Sequence, residues 1–340
     1  MLTVGLVGLG SISYRHLSGY IESGLVNQVK GVDPSPEARE AAVREFGIIR
    51  AVYDALDPLL DDPQVDVIDI CTPHYLHKEQ AVAALRAGKH VILEKPMAMN
   101  VAECDEILAA ASVAGRRVFV ALCQRMFPAH IKAKQVIEDG AIGRPFLGVV
   151  NVYGNAFDWM NDPASWKGDW EKAGGGVFFD TGNHAVYMLQ HFFGPAVAVT
   201  AAAKRLLVEP PNKADDTTVA ALEFPGPALG SIVVTYCATG DRWTEERRIV
   251  GTQGSLLIRD YPADDMPLVL LRGDEVIPVK VAGPLDTHGY GIARVIGHFL
   301  ECIVHDKPEE VTAQEARAAV ATCQAAYVSE REGRRVIVEY

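Results

Sequence analysis

The sequence predicts an α/β protein in two parts: an N-terminal doubly wound parallel sheet over residues 1–123, and a C-terminal α+β domain with a large, mostly antiparallel open sheet over 124–340. Three observations predict it. Apolar, strand-like runs alternate with helical patterns through residues 3–122, the signature of a parallel sheet. A glycine-rich turn joins the first strand to the first helix. From Pro145 onward strand candidates follow one another directly, and many alternate in polarity, as in the run from Thr217 to Phe224.

The first strand, Thr3–Val7, feeds Gly8-Leu9-Gly10-Ser11-Ile12-Ser13, after which a helical pattern begins. Gly8 permits the tight turn. Gly10 lets a pyrophosphate approach the helix N-terminus, with Ser11 and Ile12 beside it as further cofactor contacts. Ser13 stands where such a turn has glycine or alanine, and is small enough for close helix–strand packing. The next strand, Val26–Val32, ends at Asp33, 23 residues after Gly10. An acid there accepts hydrogen bonds from the adenosine ribose hydroxyls and repels a 2′-phosphate. Strand, glycine turn, helix, strand and acid in that order predict dinucleotide binding, with NAD favoured; Arg39 nearby keeps NADP use open.

Helical patterns at 36–46, 76–87 and 101–114 separate strands at 65–71, 90–93 and 118–122. The strand ends of such a sheet carry the ligand. Cys71-Thr72-Pro73-His74 follows one strand and Glu94-Lys95-Pro96 the next. Thr72, Pro73, His74, His77, Glu94 and Lys95 are accordingly assigned to the cofactor side. Pro96 restricts the Lys95 backbone to extended geometry, which suits a lysine that contacts a reacting oxygen. His16, on the first helix, reads as structural.

In the second part, strands are expected at about 145–153, 196–204, 217–224, 229–238, 246–251, 254–260, 267–272 and 275–281. Helices at 129–139 and 180–193 cover one face, and helices at 290–305 and 312–332 tie the two parts together. Trp159, Trp166 and Trp170 fall within twelve residues of apparent loop. Their faces suit a sugar ring, and they equally fit a loop stapled to the sheet. Arg125, Asn183 and Tyr236 are further substrate-side candidates, with His288-Gly289-Tyr290 at the last crossing. The run Gly174-Gly175-Gly176 leaves backbone open to a ligand. Asp180 and His184 follow, four apart and so on one helix face, a proton-handling pair near neutral pH. Taken alone, they fit an N-cap and a buried histidine as well.

Together the glycine turn at 8–13, Thr72-Pro73-His74 with His77, Glu94-Lys95-Pro96, Gln124-Arg125 with Pro128, and the run 174–184 resemble the Gfo/Idh/MocA oxidoreductases, which include inositol dehydrogenases and glucose–fructose oxidoreductase. The resemblance covers essentially the whole chain. It implies a Rossmann cofactor domain, a catalytic group of Lys95, Asp180 and His184, and Trp166 as substrate contact. It further implies a homodimer or homotetramer paired through the open face of the second sheet. Tyr187 departs from the acidic residue the family often carries three positions after the histidine. The implied activity is NAD-dependent hydride transfer at a ring secondary alcohol of a sugar or polyol, with Lys95 or His184 making the first proton transfer. A glycosidase that holds NAD for transient oxidation and a non-enzymatic nucleotide sensor are the alternatives.

Composition excludes other classes. The 340 residues are 49% hydrophobic and 22% charged, ordinary for a globular protein of two domains. A net charge of −12 without a basic block argues against nucleic acid. No apolar stretch suits a membrane span. The six cysteines lack metal-ligand spacing and read as reduced thiols, so no metal is expected. Met1 leads almost directly into the first strand, so no targeting segment and a cytoplasmic location are expected.

Overall fold

Six short apolar runs build the first sheet. They are β1 (Leu2–Val7), β2 (Val26–Val32), β3 (Ile49–Tyr53), β4 (Val67–Ile70), β5 (His90–Leu93) and β6 (Val118–Val120), in the order β3-β2-β1-β4-β5-β6. Every pairing is parallel. The order reverses beside β1, as in doubly wound dinucleotide-binding sheets. The crossovers are α1 (Ser11–Ser23), α2 (Pro36–Glu45), α3 (Asp57–Leu60), α4 (His77–Arg86) and α5 (Val101–Ala114). Serine and asparagine caps fix two of the helix starts: Ser35 accepts from Ala38 N–H and Asn100 from Glu103 N–H. The computed structural model describes residues 1–240, 242–261, 265–283 and 287–340.

The chain forms two compact units, Met1–Cys123 with Gly289–Arg317, and Gln124–His288 with Ala318–Tyr340. Nearly all of α10 (Thr287–His305) belongs to the first unit, where Phe299 stacks on Phe119 at 4.8 Å. Gly19 of α1 lies so close to this helix that a Cβ there would meet the Ala293 carbonyl at 2.9 Å. The last helix, α11 (Ala313–Glu332), starts in the first unit and ends in the second.

In the second unit, α6 (Pro128–Glu138), α7 (Phe157–Asn161), α8 (Trp170–Ala173) and α9 (Val177–Phe193) accompany a nine-stranded sheet. Its strands are β7 (Pro145–Tyr153), β8 (Ala198–Lys204), β9 (Thr217–Glu223), β10 (Leu229–Thr235), β11 (Thr244–Gly251), β12 (Gly254–Tyr261), β13 (Leu268–Arg272), β14 (Glu275–Pro278) and β15 (Val336–Ile337). Their order is β14-β13-β12-β11-β7-β10-β9-β8-β15, and only β7 with β10 is parallel. The alternation in β7, β9 and β10 sends Val150, Val152, Ala220, Leu222, Ile232 and Val234 to the buried side, against which α9 packs. The opposite side presents Leu147, Val149, Val219, Leu229 and Val233, with Val219 and Leu229 about half exposed.

Two strands escape the sequence pattern. The run Ile49–Tyr53 is interrupted by Arg50, and Val336–Ile337 is too short to show a period. The tryptophan segment is not a plain loop either, since it contains α7 and α8. Helix α9 starts three residues earlier than expected, at Val177.

Candidate active site

In the first unit the glycine turn is shaped by its neighbours. Gly8 has φ +87°, and a Cβ on it would meet the Cys71 carbonyl at 2.8 Å, so only glycine fits. A Cβ on Gly10 would meet nothing within 4 Å, and no side chain caps the α1 N-terminus that follows. Exposed Ser11 and half-buried Ile12 open this helix, so its first amides and the space above Gly10 suit an anionic pyrophosphate. Ser13 is buried, and its hydroxyl donates to the Gly10 carbonyl at 2.7 Å, closing the turn from inside.

Asp33 faces the same turn. Its Oδ2 accepts Leu9 N–H at 2.9 Å and its Oδ1 accepts Ser35 N–H at 2.8 Å, leaving carboxylate lone pairs for ribose hydroxyls. Arg39 donates to the carbonyls of Asp33 (2.6 Å) and Pro34 (3.1 Å), which keeps a guanidinium beside the ribose acid. The turn, the uncapped helix and the acid fit NAD. His77 is different: it is fully buried, its Nδ1 2.9 Å from the Pro96 carbonyl and its Nε2 2.9 Å from that of Thr72. Burial lowers its pKa. The imidazole therefore joins the loops carrying Thr72–Pro73 and Glu94–Pro96 instead of reaching into a ligand space. His74, also buried, packs edge-on against it at 5.7 Å. Glu94 is buried as well, with Oε2 accepting the N–H of Lys95 at 3.0 Å.

In the second unit α9 carries the other candidates, and its start corrects the reading of the glycine run. A Cβ on Gly175 would lie 2.4 Å from the Tyr327 hydroxyl, and one on Gly176 only 2.0 Å from the Asp215 carbonyl. These glycines admit the chain's own Asp215 and Tyr327, not a ligand. Asp215 Oδ1 accepts from Gly176 N–H (2.7 Å) and Tyr327 O–H (2.8 Å); Oδ2 accepts from Phe178 N–H (3.2 Å) and Thr218 O–H (2.8 Å). A buried carboxylate thus serves the helix N-terminus, where negative charge is favoured. Burial, opposed by these bonds, still leaves its pKa raised.

One turn further on, Asp180 Oδ2 accepts from Lys167 Nζ at 2.6 Å and from Tyr236 O–H at 2.9 Å. Tyr236 takes a hydrogen bond from Thr181 Oγ1 at 2.6 Å, and burial, then the Asp180 charge, raises its pKa well above that of a free phenol. Tyr236 is thus a support for Asp180. The Lys167 ammonium also lies 4.3 Å from the Trp159 ring centre and 5.2 Å from that of half-buried Trp166, a cation–π arrangement. Trp170 packs instead on Tyr327, at 4.7 Å.

His184 Nδ1 lies 2.6 Å from the Tyr187 hydroxyl, which accepts Gln124 N–H at 3.2 Å. The Gln124 side chain joins a buried network with Arg247 (2.5 Å) and Glu245 (2.9 Å). Gln124 therefore anchors Tyr187 to the sheet. Asn183 is buried, its amide 3.9 Å from Cys323 Sγ. Arg125 is half-buried near His191, whose imidazole is driven down to about 3 by burial first and then by Arg125 and Lys134. His288 packs edge-on against Phe127 at 6.4 Å, while Tyr290 accepts a bond from Arg294 at 3.2 Å.

The comparisons with known proteins agree with this architecture. The family model described as "Oxidoreductase family, NAD-binding Rossmann fold" matches residues 2–122, and the GFO/IDH/MocA C-terminal domain matches 130–257. The levoglucosan dehydrogenase of Pseudarthrobacter phenanthrenivorans is 30% identical, over 86% of this chain and 83% of its own. The chain belongs to the Gfo/Idh/MocA oxidoreductase family. Another member, the myo-inositol 2-dehydrogenase of Thermotoga maritima, is 26% identical over 99% of both chains. A solved levoglucosan dehydrogenase in complex with NADH and levoglucosan superposes with a TM-score of 0.91 at 25% identity, covering both chains completely. The first unit of this Gfo/Idh/MocA protein is accordingly an NAD-binding Rossmann domain.

Lys167, Asp215 and Tyr327 were missed by sequence reasoning. Lys167 had a local signal, a cation next to Trp166 in an aromatic-rich segment. Asp215 and Tyr327 had none, lying 39 and 151 residues from Gly176.

Proposed function

We propose that this protein is an NAD-dependent dehydrogenase or reductase that transfers a hydride between nicotinamide and a ring secondary alcohol of a sugar, inositol or related polyol. The observation that carries it is the pair Asp180 and His184 on α9, held by the phenols of Tyr236 and Tyr187 respectively, in a chain similar over its length to sugar and inositol dehydrogenases. NAD, when bound, supplies the hydride acceptor or donor.

His184 handles the hydroxyl proton. As a base it requires the tautomer in which Nδ1–H is directed at the Tyr187 oxygen 2.6 Å away, which also accepts Gln124 N–H, so that Nε2 has a lone pair for the alcohol. Asp180, kept in place by Lys167 and Tyr236, orients His184 or a neighbouring substrate hydroxyl. Lys95 stabilises the negative charge that develops on the reacting oxygen. Either Lys95 or His184 makes the first proton transfer; pH–rate profiles of Lys95→Ala and His184→Ala separate the two. Trp166, with Lys167 at its face, and Arg125 contact the sugar. The apolar open face of the nine-stranded sheet serves as the subunit interface of a homodimer or homotetramer.

The test is nicotinamide absorbance with purified protein, NAD⁺ or NADP⁺, and a panel of inositols, aldoses, anhydrosugars and sugar acids. Reduction of NAD⁺ by one chemical group of substrates, absent in Lys95→Ala, is the expected result. Silence across the panel from protein that binds NAD would overturn the reading.

A further inference from the structure

His16 lies in the second turn of α1, the helix whose start forms the cofactor turn, and its ring is wholly buried. Its Nδ1 is 2.7 Å from Asp69 Oδ2 on β4, and its Nε2 is 3.0 Å from Glu94 Oε1 beyond β5. The other Glu94 oxygen accepts the backbone N–H of Lys95 at 3.0 Å. A neutral imidazole has one N–H, so it would turn a lone pair towards one of two carboxylates. An imidazolium donates to both.

We propose that His16 is a positioning residue, an imidazolium peg shared by Asp69 and Glu94 that fixes the Glu94 carboxylate and, through it, the backbone of Lys95. The inference rests on the reading of Lys95 as a catalytic residue. The groups facing the peg are Asp69 and Cys71 from the end of β4, Glu94 from the end of β5, and Tyr20 from α1, whose hydroxyl donates to Asp69. Burial, the largest single influence, opposes the charge on His16, but the charge and hydrogen bond of Asp69 together with the contributions of Cys71 outweigh it and hold the imidazole well above its ordinary pKa. Burial likewise opposes ionisation of Glu94 most strongly, but the bond and charge of His16 together with the charge and backbone N–H of Lys95 outweigh it, so that carboxyl is lowered. The Cys71 thiol, pushed up to about 12 chiefly by burial, stays neutral. His16 Nδ1, Asp69 and Cys71 bring donor atoms within 4.8 Å of one another, yet an imidazole protonated on both nitrogens has no lone pair for a metal.

Nuclear magnetic resonance of the full chain with ¹⁵N-labelled histidine reads the peg directly. His16 should carry protons on both ring nitrogens at pH 8, and in Glu94→Gln it should titrate at least about one pH unit lower. A bare ring nitrogen at pH 7 would overturn the proposal. Reductive methylation of Lys95, followed by peptide mass spectrometry, reads the positioning without any substrate. His16→Gln should change its rate about threefold or more while leaving Lys78 unchanged; an unchanged Lys95 rate would overturn it. Where His16→Gln does not fold, Glu94→Gln takes its place in both measurements. Once a substrate is known, His16→Gln should lower kcat about tenfold at a constant KM for NAD, and cause no further loss in a Lys95→Ala background. Equal losses in the two backgrounds would mean a merely structural residue. An inactive wild-type enzyme, by contrast, would count against the proposed function and leave the resonance and labelling results to decide the peg.

Discussion

Tyr327→Phe isolates what holds the start of α9. The substitution removes one oxygen that donates to Asp215 Oδ1 at 2.8 Å and accepts from Gly176 N–H at 3.0 Å and Phe179 N–H at 3.2 Å. Gly176 N–H keeps its bond to Asp215 and Phe179 N–H its bond to the Gly176 carbonyl, so neither amide is stranded. The main loss is one hydrogen bond to a buried carboxylate, about 1.5–3 kcal/mol. The cavity left by an oxygen is small, so about 2 kcal/mol is the expected destabilisation, or about 4–8 °C in Tm at the 2–4 °C per kcal/mol usual for larger domains. Urea titration followed by tryptophan fluorescence measures it, because Trp170 packs on the Tyr327 ring. NAD affinity, a property of the Rossmann unit, should stay within about twofold. A loss below about 0.5 kcal/mol would refute the reasoning, because a bond to a buried carboxylate would then be worth no more than an ordinary surface contact.

The other expectations concern the sites and the assembly. Asp33→Ala should erode the preference for NAD over NADP at least about tenfold, as charged hydrogen bonds to the ribose are lost and Arg39 remains; an unchanged ratio would mean that another group reads the ribose. Tyr187→Phe should lower kcat about tenfold with KM little changed, because His184 loses the partner that fixes its ring; wild-type kcat would remove Tyr187 from the account. The His16 charge should make stability depend on pH. The folded imidazole lies above the unfolded value of about 6.5, so its contribution is complete below about pH 6.5 and is lost as pH rises through the folded pKa. Urea titrations between pH 6 and 9.5 would contradict this if Glu94→Gln showed the same alkaline decline as wild type. Val219→Glu, on the open sheet face, should give a smaller species in sedimentation; an unchanged mass would place the subunit contact elsewhere.

The fold was legible because its signals are local. Gly8, Gly10 and Asp33 mark a strand–turn–helix–strand unit within 26 residues of each other, and polarity alternates along β9 where one face is covered by α9. Strand order was not legible, since nothing in β7 announces that it pairs with β10 and β11, far along the chain. The spacing of Asp180 and His184 gave their common helix face, but not what holds them. Lys167, Tyr236 and Gln124 meet α9 through tertiary contacts with no periodic trace. Gly175 and Gly176 misled for the same reason. Small residues report that something comes close, and only the fold shows that it is Asp215 and Tyr327.

The most direct test of the central claim uses a substrate found in the absorbance panel, deuterated at the ring carbons, with unlabelled NAD⁺. The account gives reduced nicotinamide one mass unit heavier for each turnover, with Lys95→Ala producing almost none. Unlabelled NADH, or sugar product formed with no net reduced nicotinamide, would contradict hydride transfer from the ring carbon as the reaction this protein completes.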